Sequence, residues 1–223
     1  MGNVETTVGL MARLRDETTE HHQRAESRPF ERALLGGALP RVSYVEMLAQ
    51  RYLVHRALER AARGLRDAHP FLAEILRDEL FQEANLAADL EYFGVDQNAI
   101  VPARATRALV EDIGRLADQR PLALLGVYYV FEGSKNGARY VAKSVASTYA
   151  LAPGPGLRYL DPHGEQQRAL WLDFKKRMDD CPFSPADQDA MVAAAQLTFD
   201  RIGELDDELW ANVATACASP PTA

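Results

Sequence analysis

Apolar residues recur at helical intervals along almost the whole chain, and no segment shows the sustained alternation typical of a β-strand. Apolar positions three and four residues apart lie on one face of a helix. Between Val8 and about Ala25, for example, the apolar residues Leu10, Met11 and Leu14 follow this spacing. The pattern therefore predicts an all-α protein.

Proline and glycine mark where the further helices begin and end, because proline is tolerated in a first helical turn and glycine commonly follows a last one. The Pro- and Gly-rich segment 152–156 interrupts the pattern as a loop. The further helices are expected to run from Pro40 past Leu58, from Pro70 to Gly94, from Arg104 to Ala117, from Pro121 to Ala150, from Gly164 to Met178 and from Ser184 to about Trp210.

Length and composition indicate one globular domain. The chain has 223 residues, of which 47% are hydrophobic and 26% charged, so it can bury a sizeable core. Too few helices follow the 152–156 loop to form a core of their own. We expect one domain over residues 1–218 and a disordered tail over residues 219–223, which is short and rich in proline.

The charge and the ends of the chain exclude several classes of protein. A net charge of −7 argues against nucleic-acid binding. No apolar run approaches the roughly 18 residues of a membrane span, and the N-terminus lacks the pattern of a secretory signal. The two cysteines, Cys181 and Cys217, show no metal-site spacing and no disulfide framework. We expect a cytoplasmic protein that binds neither membrane nor nucleic acid.

Two glycines four residues apart, Gly133 and Gly137, lie inside the longest predicted helix. Glycine in a helix interior costs about 1 kcal/mol relative to alanine, so the pair needs a reason. Both glycines fall on one helical face, where they remove side-chain bulk. The pair indicates either close helix–helix packing or a flat group that lies against the backbone.

A histidine pair lies on the first predicted helix. Adjacent helical residues point about 100° apart, so only one of His21 and His22 can face the interior. Because Leu14, Thr18, His22 and Ala25 share a face, we expect His22 to point inward and His21 outward. An inward neutral imidazole is either a core residue or a metal ligand.

Three motifs follow one another along the chain. The first is Leu14, Thr18, His22, Ala25 and Glu26; the second is the pair Gly133 and Gly137, in the setting Tyr-Val-Phe-Glu-Gly-Ser that ends at Ser134; the third is Phe174 to Met178, Ser184-Pro185 and Ala195 to Phe199. Together they make the chain resemble the heme oxygenase family. That resemblance implies a single-domain, all-α bundle that holds heme between a proximal N-terminal helix and a glycine-kinked distal helix.

The resemblance implies roles on both sides of the heme. His22 would be the proximal iron ligand, and Glu26 would accept a hydrogen bond from its other ring nitrogen; a solvated charge at the helix end is the alternative for Glu26. Gly133 and Gly137 would let the backbone approach the reacting dioxygen and leave room for ordered water. Ser134 belongs to the same catalytic segment.

The heme edge would contact basic and aromatic residues. A third base of the family is replaced by Trp171 here, and Tyr128 and Phe199 match positions that pack on the macrocycle. Ordinary core packing is the alternative for Tyr128 and Phe199. A solvated face, or a docking surface for an acidic redox partner, is the alternative for Lys175, Lys176 and Arg177. The basic residues that would pair with the heme propionates are Arg15, Lys175 and Arg177.

Three positions depart from the family pattern. Ser134 replaces an aspartate of the best-known distal water network, His55 replaces a frequent tyrosine, and Ala138 replaces a frequent glycine. Proton delivery must therefore follow another route, with Glu132, Arg139 and His55 as candidates.

The leading hypothesis is a heme oxygenase that cleaves heme to biliverdin, carbon monoxide and ferrous iron. Electrons would come from an external ferredoxin or reductase, the chain would be a monomer, and a bilin-binding photoreceptor could use the product. One alternative is a heme-binding protein for storage, sensing or delivery. Another is a non-heme relative that uses the acids Glu79, Glu83 and Asp89, which have no accompanying histidine at metal-ligand spacing.

Overall fold

The computed structural model describes residues 9–218, with side chains as far as Val213, and this part of the chain contains helices and loops but no strand. The predicted all-α class is therefore confirmed. Residue 8 and the tail 219–223, which was predicted to be disordered, lie outside the described residues. The α-helices are α1 (Leu10–Glu26), α2 (Pro29–Leu35), α3 (Arg41–Arg66), α4 (Pro70–Ile75), α5 (Glu83–Tyr92), α6 (Arg104–Gln119), α7 (Leu124–Tyr149), α8 (Gln167–Asp180) and α9 (Pro185–Ala218).

The single helix predicted from Pro70 to Gly94 is wrong, because this segment divides into α4, a 3-10 turn and α5. A carboxylate from α3 explains where α5 begins. Glu59 Oε1 accepts hydrogen bonds from the backbone N–H groups of Gln82 at 2.5 Å and Glu83 at 2.7 Å. These are N–H groups that a helix start leaves without an intrahelical partner. The break is thus set by a tertiary contact.

Two further differences concern helix length. The pattern does not predict α2, which has only seven residues; it begins with Pro29 and buries Phe30 and Leu34 one turn apart. Helix α9 continues past Trp210 to Ala218. A one-turn apolar pair is too short for periodicity to identify, although proline at a first helical position was an available signal.

Helices α7 and α9 cross closely at Gly126. A Cβ atom on Gly126 would overlap the carbonyl oxygen of Met191 and would lie 3.1 Å from the backbone nitrogen of Ala195. Both α9 residues are fully buried. Close helix packing is one of the two explanations considered for Gly133 and Gly137, and in α7 it is found at Gly126.

The loop after α7 returns across the bundle and is fixed by buried polar groups. The fully buried Asp89 carboxylate of α5 accepts hydrogen bonds from the backbone N–H groups of Arg158 at 3.1 Å and Tyr159 at 2.9 Å. The hydroxyl of Tyr44 donates to the Gly156 carbonyl at 2.8 Å. Asp89 thus has a structural role, and the loop holds Tyr159 beside α3.

We expect Gly126→Ala to destabilise the protein and Gly114→Ala, the matched control, to stabilise it. The first adds a methyl group against the backbone of α9, and overpacking of this kind costs about 1–3 kcal/mol. The second adds a methyl group to exposed α6, with no atom within 4 Å, and should gain up to about 1 kcal/mol of helix propensity. Urea unfolding measures both; equal effects would contradict the close crossing.

Candidate functional site

A cavity of about 860 Å³ lies between α7 on one side and α1, α2 and α9 on the other, with α3 and the Tyr159 loop at its deep end. Its volume falls within the range of roughly 300–1,000 Å³ that is usual for small-molecule sites. Six of the ten predicted site residues line its two long walls. The predicted residues that line it are His22, Glu26, Gly133, Ser134, Gly137 and Phe199.

The wall formed by α1 and α9 presents an imidazole. His22 Nδ1 lies 3.4 Å from Glu26 Oε2, one helical turn later, and the His22 ring meets the Phe199 ring edge to face at 5.5 Å between centroids. Within the described residues, His22 Nε2 has no hydrogen-bond partner. The carboxylate and the aromatic ring thus orient the imidazole and leave one nitrogen free to bind a metal.

The expected orientation of the histidine pair needs a correction. The side chain of His21 is 20% exposed and that of His22 is 50% exposed, so His21 is the more buried of the two. His21 Nδ1 lies 2.9 Å from Asp200 Oδ1 on α9. His22 faces the open cavity, which accounts for its exposure. The residue that lines the cavity is thus the more exposed histidine of the pair, so an inward, buried position was the wrong criterion for identifying it.

The opposite wall is the glycine face of α7. A Cβ atom on Gly137 would have no heavy atom within 4 Å, and one on Gly133 would meet only the Trp171 ring at 3.7 Å. The Ser134 hydroxyl donates to the Phe131 carbonyl of its own helix at 2.9 Å. Unlike Gly126, neither glycine meets another backbone, and Gly137 faces open space, so a flat group can lie against the helix here.

The deep end of the cavity is polar and buried. His55 is 2% exposed, its Nε2 lies 3.4 Å from the Tyr159 hydroxyl, and its ring packs on Phe131 at 4.6 Å between centroids. Burial lowers the pKa of His55, so the ring is neutral near pH 7. Lys135 Nζ donates to Glu132 Oε1 at 2.5 Å, and burial raises the pKa of that carboxyl although Lys135 opposes the shift.

Two predicted contacts are corrected. Tyr128 is 1% exposed in the core beside Phe81, and the next residue, Tyr129, lines the cavity instead. Arg177 is also buried, and its guanidinium bonds the Asp173 carboxylate and, at 3.1 Å, the Glu74 carbonyl. Arg177 therefore holds α8 on α4.

The other two basic residues lie near the cavity without lining it. Arg15 is 72% exposed and pairs with Asp16 at 2.8 Å. Lys175 Nζ lies 5.7 Å from the ring centroid of Trp171, which lines the cavity. Both side chains are on the surface, and their predicted contacts with heme propionates stay predictions.

Several cavity residues were missed by the motifs. Glu31 lies on the unpredicted helix α2, Arg51 lies one turn before His55 on α3, and Tyr159 belongs to the loop. The spacing of Arg51 and His55 at i and i+4 was the available signal, because it places both on one face of α3. Glu31 and Tyr159 reach the cavity through tertiary packing.

The described part of the chain has neither a cluster of metal-ligating side chains nor a helix able to span a membrane. Residues 9–213 contain no group of three or more His, Cys, Asp or Glu side chains arranged to hold a metal ion, so the proposed carboxylate site of a non-heme relative finds no support. None of the described helices combines the length and the hydropathy that crossing a bilayer would require.

Comparison with known proteins gives a consistent result. The heme oxygenase family model matches residues 8–206. A heme oxygenase of Porphyra purpurea is 28% identical over 204 residues, which cover 90% of this chain and 86% of that protein. The crystal structure of heme oxygenase-1 from Synechocystis in complex with heme is 25% identical, with a TM-score of 0.86, covering 94% of this chain and 96% of that one.

A second solved structure supports the fold alone. Heme oxygenase-2 from Synechocystis, in complex with heme and NO, has a TM-score of 0.88 at 24% identity and covers 94% of this chain and 88% of that one. The family match spans both walls of the cavity, from α1 to α9. The chain therefore belongs to the heme oxygenase family and is a heme-degrading enzyme that takes heme as its substrate and bound group.

Proposed function

We propose that heme is held in the cavity between His22 and the glycine face of α7 and is cleaved there to biliverdin, carbon monoxide and ferrous iron. One observation carries the assignment: an imidazole with a free Nε2 faces, across one cavity, the part of α7 where Gly133 and Gly137 carry no side chain. Bound heme supplies the iron that activates dioxygen and the ring that is cleaved. The residues present fit it, because the cavity volume, the free nitrogen and the bare helix face suit a flat metal complex.

The α1 side would bind and orient the metal ligand. His22 would use neutral Nε2, and Glu26 would accept the Nδ1 proton, which fixes the tautomer and raises the basicity of the ligand. Phe199 limits rotation of the ring through its edge contact. Arg15 and Lys175 would attract the heme carboxylates: Arg15 is exposed beside Asp16, and Lys175 Nζ lies 5.7 Å from the ring centroid of Trp171, which lines the cavity.

The α7 side would leave room for dioxygen and exclude competing side chains. Gly133 and Gly137 place backbone without a side chain at these two positions, which would leave room for the oxidant to approach the ring edge. Ser134 uses its hydroxyl within its own helix and would not replace an acidic group in proton delivery. Proton supply would therefore come from the polar deep end of the cavity.

Heme binding without turnover is the second candidate function. It would be favoured by a second protein ligand to the iron, for which His55 is the candidate. His55 lies at the deep end of the same cavity, where it is 2% exposed and packs against Phe131, and its Nε2 is already engaged by the Tyr159 hydroxyl at 3.4 Å. This placement supports an open coordination position and hence turnover.

The remaining proposals concern partners and location. We propose an external ferredoxin or reductase as electron donor, because the sequence has no dinucleotide fingerprint. Exposed Lys176 and the nearby Lys175 offer a basic surface on α8 for an acidic donor. A cytoplasmic monomer, with a bilin-binding photoreceptor as a possible user of the product, completes the proposal.

His22→Ala should abolish the histidine-ligated spectrum of the ferric heme complex, whereas His21→Ala should preserve it. The reason is that, of these two histidines, only His22 lines the cavity, whereas His21 contacts Asp200. Absorption and resonance Raman spectra of hemin titrations measure the difference. The reverse result would contradict the assignment of the ligand.

Gly137→Ala should slow or divert heme cleavage while heme affinity changes only a few-fold. The methyl group enters the cavity where no protein atom lies within 4 Å, so folding is not obstructed. Gly114→Ala is the matched control, because both changes gain up to about 1 kcal/mol of helix propensity. Biliverdin formation and thermal unfolding are measured for both; loss of folding in Gly137→Ala alone would indicate a packing role.

Turnover itself is tested by mixing the ferric heme complex with a reductase system in air. The heme Soret band should disappear while biliverdin absorbance and carbon monoxide appear. A persistent six-coordinate, low-spin spectrum that becomes five-coordinate in His55→Ala would instead favour the binding protein.

A further inference from the structure

A buried group of three charged side chains, which we call the acid–arginine cluster, borders the deep end of the cavity. It consists of Glu31 from α2, Arg51 from α3 and Asp206 from α9. Arg51 is 6% exposed and Asp206 is 0% exposed, while Glu31 is half-buried. Glu31 and Arg51 line the cavity. Asp206 lies next to Arg51 but does not line the cavity. The positive charge of Arg51 thus acts on both carboxyl groups, since it opposes the raised pKa of Glu31 as well as that of Asp206.

The cluster lacks the contacts that would hold two ionised carboxylates. Arg51 Nη2 lies 3.9 Å from Asp206 Oδ1, which is longer than a hydrogen bond. Arg51 Nη1 and both carboxylate oxygens of Asp206 have no hydrogen-bond partner among the described protein atoms. A buried carboxylate without hydrogen bonds is strongly disfavoured as an anion and keeps its proton instead.

The charged groups that act on Asp206 lie on α2, α3 and its own helix α9 and in the turn between α1 and α2. Burial raises the pKa of Asp206 well above its usual range, and Glu31 raises it further. Arg51 and, more weakly, Arg28 oppose the shift, whereas the neighbouring Asp207 adds to it. Burial likewise raises the pKa of Glu31, against the effect of Arg51. One guanidinium can balance the charge of only one carboxylate, which favours retention of a proton by the other.

We propose that Glu31 and Asp206 share one proton beside Arg51 and that this acid pair supplies protons to water in the cavity during heme cleavage; the second part rests on the proposed function. Reduction of dioxygen by electrons from an external donor consumes protons. The proton would leave the Glu31 carboxyl for a cavity water, and the remaining carboxylate would be stabilised by Arg51. The pair would regain a proton from bulk water through the cavity mouth.

The two acids have different parts in this scheme. Glu31 lines the cavity and exchanges the proton with water. Asp206 is a positioning residue, because it acts through Arg51 and the shared proton and does not line the cavity. The cluster supplies an acid other than the groups of α7, where the Ser134 hydroxyl bonds its own helix and the Glu132 carboxyl accepts a hydrogen bond from Lys135.

The shared proton is tested on the heme-free protein by infrared spectroscopy. A protonated carboxyl gives a carbonyl stretch that shifts in D₂O. One such band should be lost in Asp206→Asn and also in Glu31→Gln, because either change leaves one acid for one guanidinium. Asp207→Asn is the matched control and should keep the band, since Asp207 is 49% exposed and bonds Arg28. A wild-type spectrum with no band that depends on Glu31 and Asp206 would overturn the proposal.

Stability against pH gives a second readout without heme. The folded-state pKa of Asp206 is raised, so its contribution is complete below the ordinary carboxyl pKa of about 4 and is lost as pH rises through the raised pKa. Asp206→Asn should therefore gain stability relative to wild type as pH rises above about 4, and Asp207→Asn should not. A parallel pH dependence of Asp206→Asn and wild type would overturn the shared proton.

Turnover then separates the two parts of the proposal. Both Asp206→Asn and Glu31→Gln should bind heme normally but form biliverdin on the order of tenfold more slowly, with a steeper fall at high pH and a larger solvent isotope effect. Normal turnover in variants that have lost the infrared band would overturn the role as proton source. Wild-type protein that shows the band but never cleaves heme would instead refute the proposed function. If Asp206→Asn fails to fold, Glu31→Gln at the cavity wall still allows the infrared test and the turnover test.

Discussion

The close crossing of α7 and α9 at Gly126 is the constraint on which the site depends. Backbone contacts with Met191 and Ala195 fix the first half of α7 directly on α9. Farther along the same helix, Gly137 faces open space and Gly133 faces only the Trp171 ring, and α7 and α9 bound a cavity of about 860 Å³. Glycine thus serves two opposite purposes on one helix: contact at one end and clearance at the other.

Different parts of the cavity present different chemical groups. The α1 and α9 wall offers an oriented imidazole, the α7 wall offers bare backbone, and the deep end holds buried ionisable groups. Those groups come from four separate helices and the loop fixed by Asp89. Their burial shifts protonation so that His55 is neutral and the acid–arginine cluster retains a proton. Proton chemistry can therefore occur away from the metal-binding wall.

Local sequence was enough to predict what depends on position along one helix. The bounds of α1 and α6, and the shared cavity face of His22 and Glu26, follow from helical spacing. The motif match also identified both walls of the cavity. These features need no knowledge of how the helices pack, because each is a property of a single helix face.

Features set by tertiary contacts were not predictable in the same way. The rotation of α7 about its axis decides that Tyr129, and not Tyr128, lines the cavity. The Glu59 carboxylate decides where α5 begins, and a bond to the Glu74 carbonyl turns Arg177 away from the site. The acid–arginine cluster depends on α2, α3 and α9 meeting at one point. In each case, the deciding partner lies far away in sequence.

The most direct test of the central claim is a crystal structure of the complex with hemin. The account predicts that His22 Nε2 coordinates the iron, that Glu26 accepts the hydrogen bond from Nδ1, and that the Gly133–Gly137 face covers the opposite side of the ring. Iron coordinated by His21 or His55, or heme bound outside the cavity between α1 and α7, would contradict it.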